Sequence, residues 1–298
     1  MEKQHLFVFT DYGVDVDDAL ALAYINGCPD IALVGVCTSH HDTKLKAAIV
    51  KKYLSYFGLD VPVAAGIQSQ SPPEEQTFLE EIAHRLDAHA CPSLDSEELW
   101  KETLKQYPNV SVAILSPLTD ACALMGARQK SVESAGRIYL QGRAQRTDRL
   151  LIPNLEDYNF REQVDATVQF FALYHQFSMT LMGKNAAYQV PIDRDDFQWF
   201  EKANPFVGKY LRYHAELGQE FIRKNANPPL QRYKDENFLS FPYDPLTVMS
   251  FSHPEFFPES NNGQFHIINN ITNENQVQHI QNHLVFTITS GIALKHLC

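Results

Sequence analysis

A chain of 298 residues is long enough for one large α/β domain or two smaller ones. With 44% hydrophobic and 20% charged residues it has an ordinary globular composition, which excludes disorder, collagen and coiled coil. Lysine and arginine total 25 against 36 aspartates and glutamates, a net charge of −11, so nucleic acid and anionic membrane are poor partners, whereas acidic clusters suit metal ions. No apolar run approaches the roughly 18 residues of a spanning helix, and residues 6–9 are too few for the core of a secretory signal. The five cysteines, Cys28, Cys37, Cys91, Cys122 and Cys298, form no CxxC pair and show no regular spacing. An odd, scattered set argues against a disulfide framework or a zinc site and predicts a cytoplasmic protein.

In chain order, residues 6–9 form a buried-strand signal that stops at a polar loop, 10–15, and a helical period runs over 17–25. An apolar run at 31–37 and a helix at 44–57, ended by Gly58, repeat the pattern. A short strand is expected at 61–65, helices at 78–89 and 96–107, and a fourth strand at 110–115. That strand breaks at Ser116-Pro117, and Thr119-Asp120 can cap a helix over 121–128. Strands at 137–140 and 179–182 flank a helix at 164–174; helices follow after Asp193 and over 209–224, then a polar connection at 225–243. Residues 280–289 offer one more element. Such alternation implies a mainly parallel sheet covered by helices on both faces, and no linker divides the chain, so one domain over residues 1–298 is expected.

In open α/β sheets ligands bind at the carboxyl ends of the strands. The first such loop holds Asp11, Asp15, Asp17 and Asp18 within eight positions, directly before a helix. Four carboxylates so close repel one another. Gly13 allows a turn that brings Asp11 back towards Asp17 and Asp18, and a divalent cation would relieve the repulsion. Oxygen donors at this density suit Ca²⁺ or Mg²⁺ rather than zinc. The spacing is not an EF-hand, and Gly13 stands where an aspartyl-phosphate phosphatase loop would place a second carboxylate.

Thr10-Asp11-Tyr12-Gly13 through Asp17-Asp18-Ala19-Leu20-Ala21-Leu22 resembles the N-terminal aspartate signature of the inosine–uridine-preferring nucleoside hydrolases, in its longer variant with an extra Asp15-Val16. Three further segments match the family in the same order: Ser116-Pro117-Leu118-Thr119-Asp120, Glu156-Asp157-Tyr158-Asn159, and Tyr243-Asp244-Pro245-Leu246. The matches span residues 6 to about 250. Phe9, Asp157 and Tyr243 depart from the family's usual aspartate, glutamate and histidine.

The resemblance implies the nucleoside hydrolase fold, a single large Rossmann-like α/β domain, and Ca²⁺-dependent hydrolysis of the N-glycosidic bond of ribonucleosides. It implies that Asp11, Asp18, Asp244 and the carbonyl of Thr119 hold the metal, and that Asp11 is also the general base. Asp17, Asp157 and Asn159 would orient the ribose hydroxyls. Tyr243 is one candidate proton donor to the leaving base; His40, His41 and Tyr233 are others, and Asp15 has no assigned role. A small-molecule nucleoside is the expected partner, with a homodimer or homotetramer as the assembly. Two other readings compete: a relative that binds a nucleoside without turnover, and a metal phosphohydrolase, against which stands the lack of a basic cluster near the aspartates.

Overall fold

The computed structural model describes residues 3–89, 94–126, 136–147, 151–174, 178–225, 231–257, 265–271 and 273–293. Strand β1 (Gln4–Thr10) leads into helix α1 (Asp17–Gly27), β2 (Ile31–Thr38) into α2 (Thr43–Ser55) and β3 (Val63–Ala65) into α3 (Pro73–Leu86). Then come β4 (Leu94–Asp95), α4 (Ser96–Gln106), β5 (Ser111–Leu115), α5 (Thr119–Gly126) and β6 (Ile138–Gln141). A small ribbon, β7 (Ala144–Arg146) with β8 (Leu151–Pro153), precedes α6 (Tyr158–Arg161), α7 (Val164–Tyr174), β9 (Met179–Met182) and α8 (Lys184–Tyr188). Another, β10 (Ile192–Asp193) with β11 (Phe238–Ser240), brackets α9 (Arg194–Ala203) and α10 (Pro205–Asn225). Helix α11 (Tyr243–Ser252), strand β12 (Phe265–Ile268) and helix α12 (Glu274–Ile292) follow.

Eight strands form one sheet in the order β12-β9-β6-β5-β1-β2-β3-β4, every pair parallel. Helices cover both faces, so the central strands read as continuous apolar runs, and Leu6, Phe7, Val8 and Phe9 are fully buried. This is the α/β architecture expected from the alternation. The expected helices after β3 and β5 begin earlier, α3 because Pro73 is well suited to a first helical turn. The two ribbons and β12 were not expected: at two to four residues they are too short to show a period. Residues 127–128, expected to end a helix, and Cys91 and Cys298 lie outside the described residues.

After its two opening aspartates helix α1 is apolar on every side from Ala19 to Ile25 because it is enclosed, and residues Asp17 to Ile25 are all buried. It crosses α12 with backbones in contact: a β-carbon on Gly27 would lie 1.9 Å from the Thr287 carbonyl, and one on Gly291 would lie 1.9 Å from that of Ala23. This crossing ties the C-terminal helix to the element that follows the acidic loop. Gly291→Ala should lower Tm by several degrees, since overpacking costs about 1–3 kcal/mol; an unchanged melting curve would remove the crossing as a constraint.

Candidate active site

The strand order reverses between β1 and β5, whose chains wind outward in opposite directions. At such a switch point the departing loops diverge and open a crevice at the carboxyl edge. A cavity of about 520 Å³ lies there. Asp11 directly follows β1, and Leu115, the last residue of β5, pairs in register with Thr10.

The acidic loop is braced by one stripe of α10. Tyr210, His214 and Gly218 recur every four residues and so share a face. The Tyr210 hydroxyl pairs with that of Tyr12 at 2.7 Å, and His214 Nε2 lies 2.8 Å from the Gly13 carbonyl. A β-carbon on Gly218 would sit 2.1 Å from the Val14 carbonyl. His214 is wholly buried, and burial lowers its pKa to about 4, so the neutral ring donates its Nε2 hydrogen to Gly13.

Asp17 and Asp18 from the first turn of α1 meet Asp244 from the first turn of α11, one oxygen from each lying within 4.8 Å of the others. All three are buried, and burial, followed by the charges of neighbouring aspartates, holds their carboxyls well above the ordinary range. Thr10 Oγ1 donates to Asp18. Asp11 stands beside this trio. Burial pushes its carboxyl up to about 6 against the opposing charge of Lys46. Lys46 is 1% exposed; its Nζ donates to the Asp11 carbonyl at 2.9 Å and lies 3.5 Å from Glu75. Asp15 Oδ1 accepts from Ser240 Oγ and the Val16 amide, both at 2.7 Å, and burial raises it to about 6.

One ammonium does not neutralise this many buried carboxylates. The donor set, oxygens alone at close range, fits a hard divalent cation such as Ca²⁺ or Mg²⁺. Thr119 is not among the cavity-lining residues: it opens α5, while Leu115 lines the wall. The residue of this strand end that lines the cavity is Leu115, four positions before the one the motif indicated.

Asp157 and Asn159 reach the cavity, as expected. The carboxylate of Asp157 is already largely occupied. Its Oδ2 accepts from the Arg143 amide at 2.6 Å and from Arg143 Nε at 3.2 Å, and its Oδ1 meets Arg143 Nε at 3.1 Å and Lys184 Nζ at 3.2 Å. Arg143 Nε has one hydrogen, shared between the two oxygens, so three hydrogens fill most of the roughly four lone-pair sites of the carboxylate and leave about one for a sugar hydroxyl. Asn159 donates to Gln141 Oε1 at 2.8 Å, which keeps its own amide oxygen available.

Tyr243, Tyr233 and Tyr188 line an aromatic wall with Phe221 and Ile222. Burial, then the neighbouring phenols and Asp15, holds the Tyr243 hydroxyl well above its usual pKa, so it stays protonated. His40 and His41 are not among the lining residues; they back residues that are. His40 Nε2 lies 3.1 Å from the Tyr158 hydroxyl, and His41 Nδ1 lies 2.8 Å from Glu75. Both adopt left-handed backbone, φ 65° and 58°, at about 1–3 kcal/mol each. Burial lowers His40 to about 3, so its ring is neutral.

Lys46, Glu75, Lys184, Arg161 and Tyr188 were not anticipated as cavity residues. Lys46 alone left a trace: it falls four before Val50 and seven before Tyr53, a lysine on the apolar stripe of α2.

The sequence profile of the inosine-uridine preferring nucleoside hydrolases matches residues 6–288, and the chain belongs to that family of N-glycosyl hydrolases. The type III effector XopQ, crystallised with adenosine diphosphate ribose, is similar in fold, with a TM-score of 0.80, 18% identity and coverage of 99% of this chain and 94% of its own. A purine-preferring ribonucleoside hydrolase from Gardnerella vaginalis gives 0.74 at 14% identity, covering 97% and 99%. An inosine-uridine preferring enzyme from Bacillus anthracis gives 0.65 at 14%, covering 95% and 99%. No curated protein sequence matches the chain significantly.

Asp244→Asn should weaken calcium affinity by roughly tenfold or more, since affinity follows the count of charged ligands; unchanged affinity by calorimetry would remove Asp244 from the site. Without metal, carboxyls raised above the unfolded value of 3.8 keep protons that the unfolded chain releases, so stability falls as pH rises through about 6. Melting curves in chelator and in calcium should therefore diverge between about pH 4 and pH 7. A gap independent of pH would contradict this.

Proposed function

We propose that the protein hydrolyses the N-glycosidic bond of a ribonucleoside or related N-riboside, using a Ca²⁺ ion held by Asp17, Asp18 and Asp244. The observation that carries this reading is the meeting of buried carboxylates from residues 17, 18 and 244 on the floor of the switch-point cavity, with Asp11 alongside. XopQ, similar in fold, was crystallised with the ribosyl ligand adenosine diphosphate ribose, which supports a ribose-containing ligand for this chain. Ca²⁺ at this position would lower the pKa of a water molecule and grip a vicinal diol, favouring ribosides over 2′-deoxyribosides.

The chain's own residues perform the remaining steps. Asp11, poised near neutrality, takes the proton of the attacking water. Lys46 fixes the Asp11 backbone and limits how far burial raises the carboxyl. The acidic floor stabilises positive charge developing on the sugar in an oxocarbenium-like transition state. Asn159 holds a hydroxyl. Tyr243, protonated and set among phenols, donates to the departing base, and the aromatic wall receives its ring. Buried free thiols at Cys28, Cys37 and Cys122 support a cytoplasmic setting, and exposed Trp199, Phe206 and Phe286 support self-association as a dimer or tetramer.

Base release from inosine and uridine, with and without chelator, tests the reading; metal binding with no release from any riboside would turn the site into a non-catalytic binding site. Asp11→Asn should reduce kcat about 10²–10⁴-fold. Tyr243→Phe should slow nucleosides by about 10²-fold while sparing a chromogenic riboside whose leaving group needs no proton. Equal loss on both substrates would remove Tyr243 as the acid.

A further inference from the structure

Apart from Lys46 at the floor, the cations of the cavity sit on one wall, away from the acidic loop in sequence: Lys184 and Arg161 line it, and Arg143 stands behind Asp157. Asp157 is 4% exposed and faces two of them at once, Arg143 Nε at 3.1 Å and Lys184 Nζ at 3.2 Å. Asp157 is the one carboxylate buried between the guanidinium and the ammonium. Two further carboxylates stand nearby: Glu156, which lines the cavity with its side chain 84% exposed, lies 3.8 Å from Arg143, and Glu162, 29% exposed, pairs at 3.5 Å with Arg161, itself 55% exposed. Among the described residues Lys184 has no other carboxylate within ion-pair distance. An ammonium carries three hydrogens, so two of those on Lys184 remain for a ligand.

We propose that this wall binds a phosphate, and that the substrate class is a ribonucleoside 5′-phosphate. The inference rests on the N-riboside reading for its orientation. With the 2′,3′-diol over the aspartate trio and the base on the aromatic wall, the exocyclic C5′ is the ribose substituent left to face Asn159, Lys184 and Arg161. Asp157, with most of its acceptor sites taken by Arg143 and Lys184, is the positioning residue that aims them, and the shortened side chain suits that task. A phosphate dianion would accept charge-assisted hydrogen bonds from the free hydrogens of Lys184 and from the half-exposed Arg161 guanidinium.

The test uses the calcium-loaded protein. Base release is compared for inosine against inosine 5′-monophosphate and for uridine against uridine 5′-monophosphate, and calorimetry compares ribose 5-phosphate with ribose. The phosphorylated partner should win in kcat/KM and in affinity by tenfold or more. Lys184→Gln and Arg161→Gln should each reduce that preference, Lys184→Gln by at least tenfold, and raised salt should erode it. Equal or faster release from the unphosphorylated nucleosides would overturn the phosphate site and leave the hydrolase reading standing. Release from neither, with ribose 5-phosphate still preferred over ribose, would overturn nucleoside hydrolysis and keep the phosphate site. Equal binding of the two sugars would overturn the phosphate site whatever the turnover.

Discussion

Mutual repulsion among buried carboxylates is the constraint that the rest of the site answers. Asp17 and Asp18 come from one end of the chain and Asp244 from the other, and their oxygens lie closer together than like charges out of water tolerate without a counterion. The fold imposes the approach. The carboxyl edge of β1 and the N-terminus of α11 face the same crevice, and both α1 and α11 bring a partial positive charge to it. The tyrosine–histidine–glycine stripe of α10 keeps the acidic loop from moving away, and the α1–α12 glycine crossing holds α1 from behind.

Charge then divides the cavity. Its floor is acidic, one wall is phenolic, and the wall built from α6 and α8 carries the cations. A ribosyl group carries three kinds of substituent, a diol, a base and an exocyclic carbon, and each wall suits one of them. The strained His40-His41 turn serves this division at one remove. It holds Tyr158 and Glu75 against the cavity, and Glu75 in turn holds Lys46 beside Asp11.

The strand-and-helix alternation was legible because parallel strands buried on both faces read as plain apolar runs, as residues 6–9 and 179–182 do. The carboxylate cluster was legible in part, because charge density at a strand end has few structural uses: Asp18 and Asp244 meet as expected, but the third member is Asp17, expected at the ribose, while Asp11 stands alongside. Short edge strands such as β12 were not, because four residues carry no period. Thr119 does not line the cavity: a motif fixes the order of residues, whereas the position at which the strand ends, here Leu115, decides which residue borders the crevice. Asp157 was placed at the cavity from its tetrapeptide, but its partners Arg143 and Lys184 come from other segments. Pairings between distant segments leave no local pattern, so neither the ion pairs of Asp157 nor the cationic wall was visible in the sequence.

A crystal structure of the protein grown with calcium tests the arrangement most directly. One ion bound to Asp17, Asp18 and Asp244 is the expected result. Clear density showing those carboxylates turned apart, or a calcium ion bound elsewhere in the cavity with this trio empty, would contradict it.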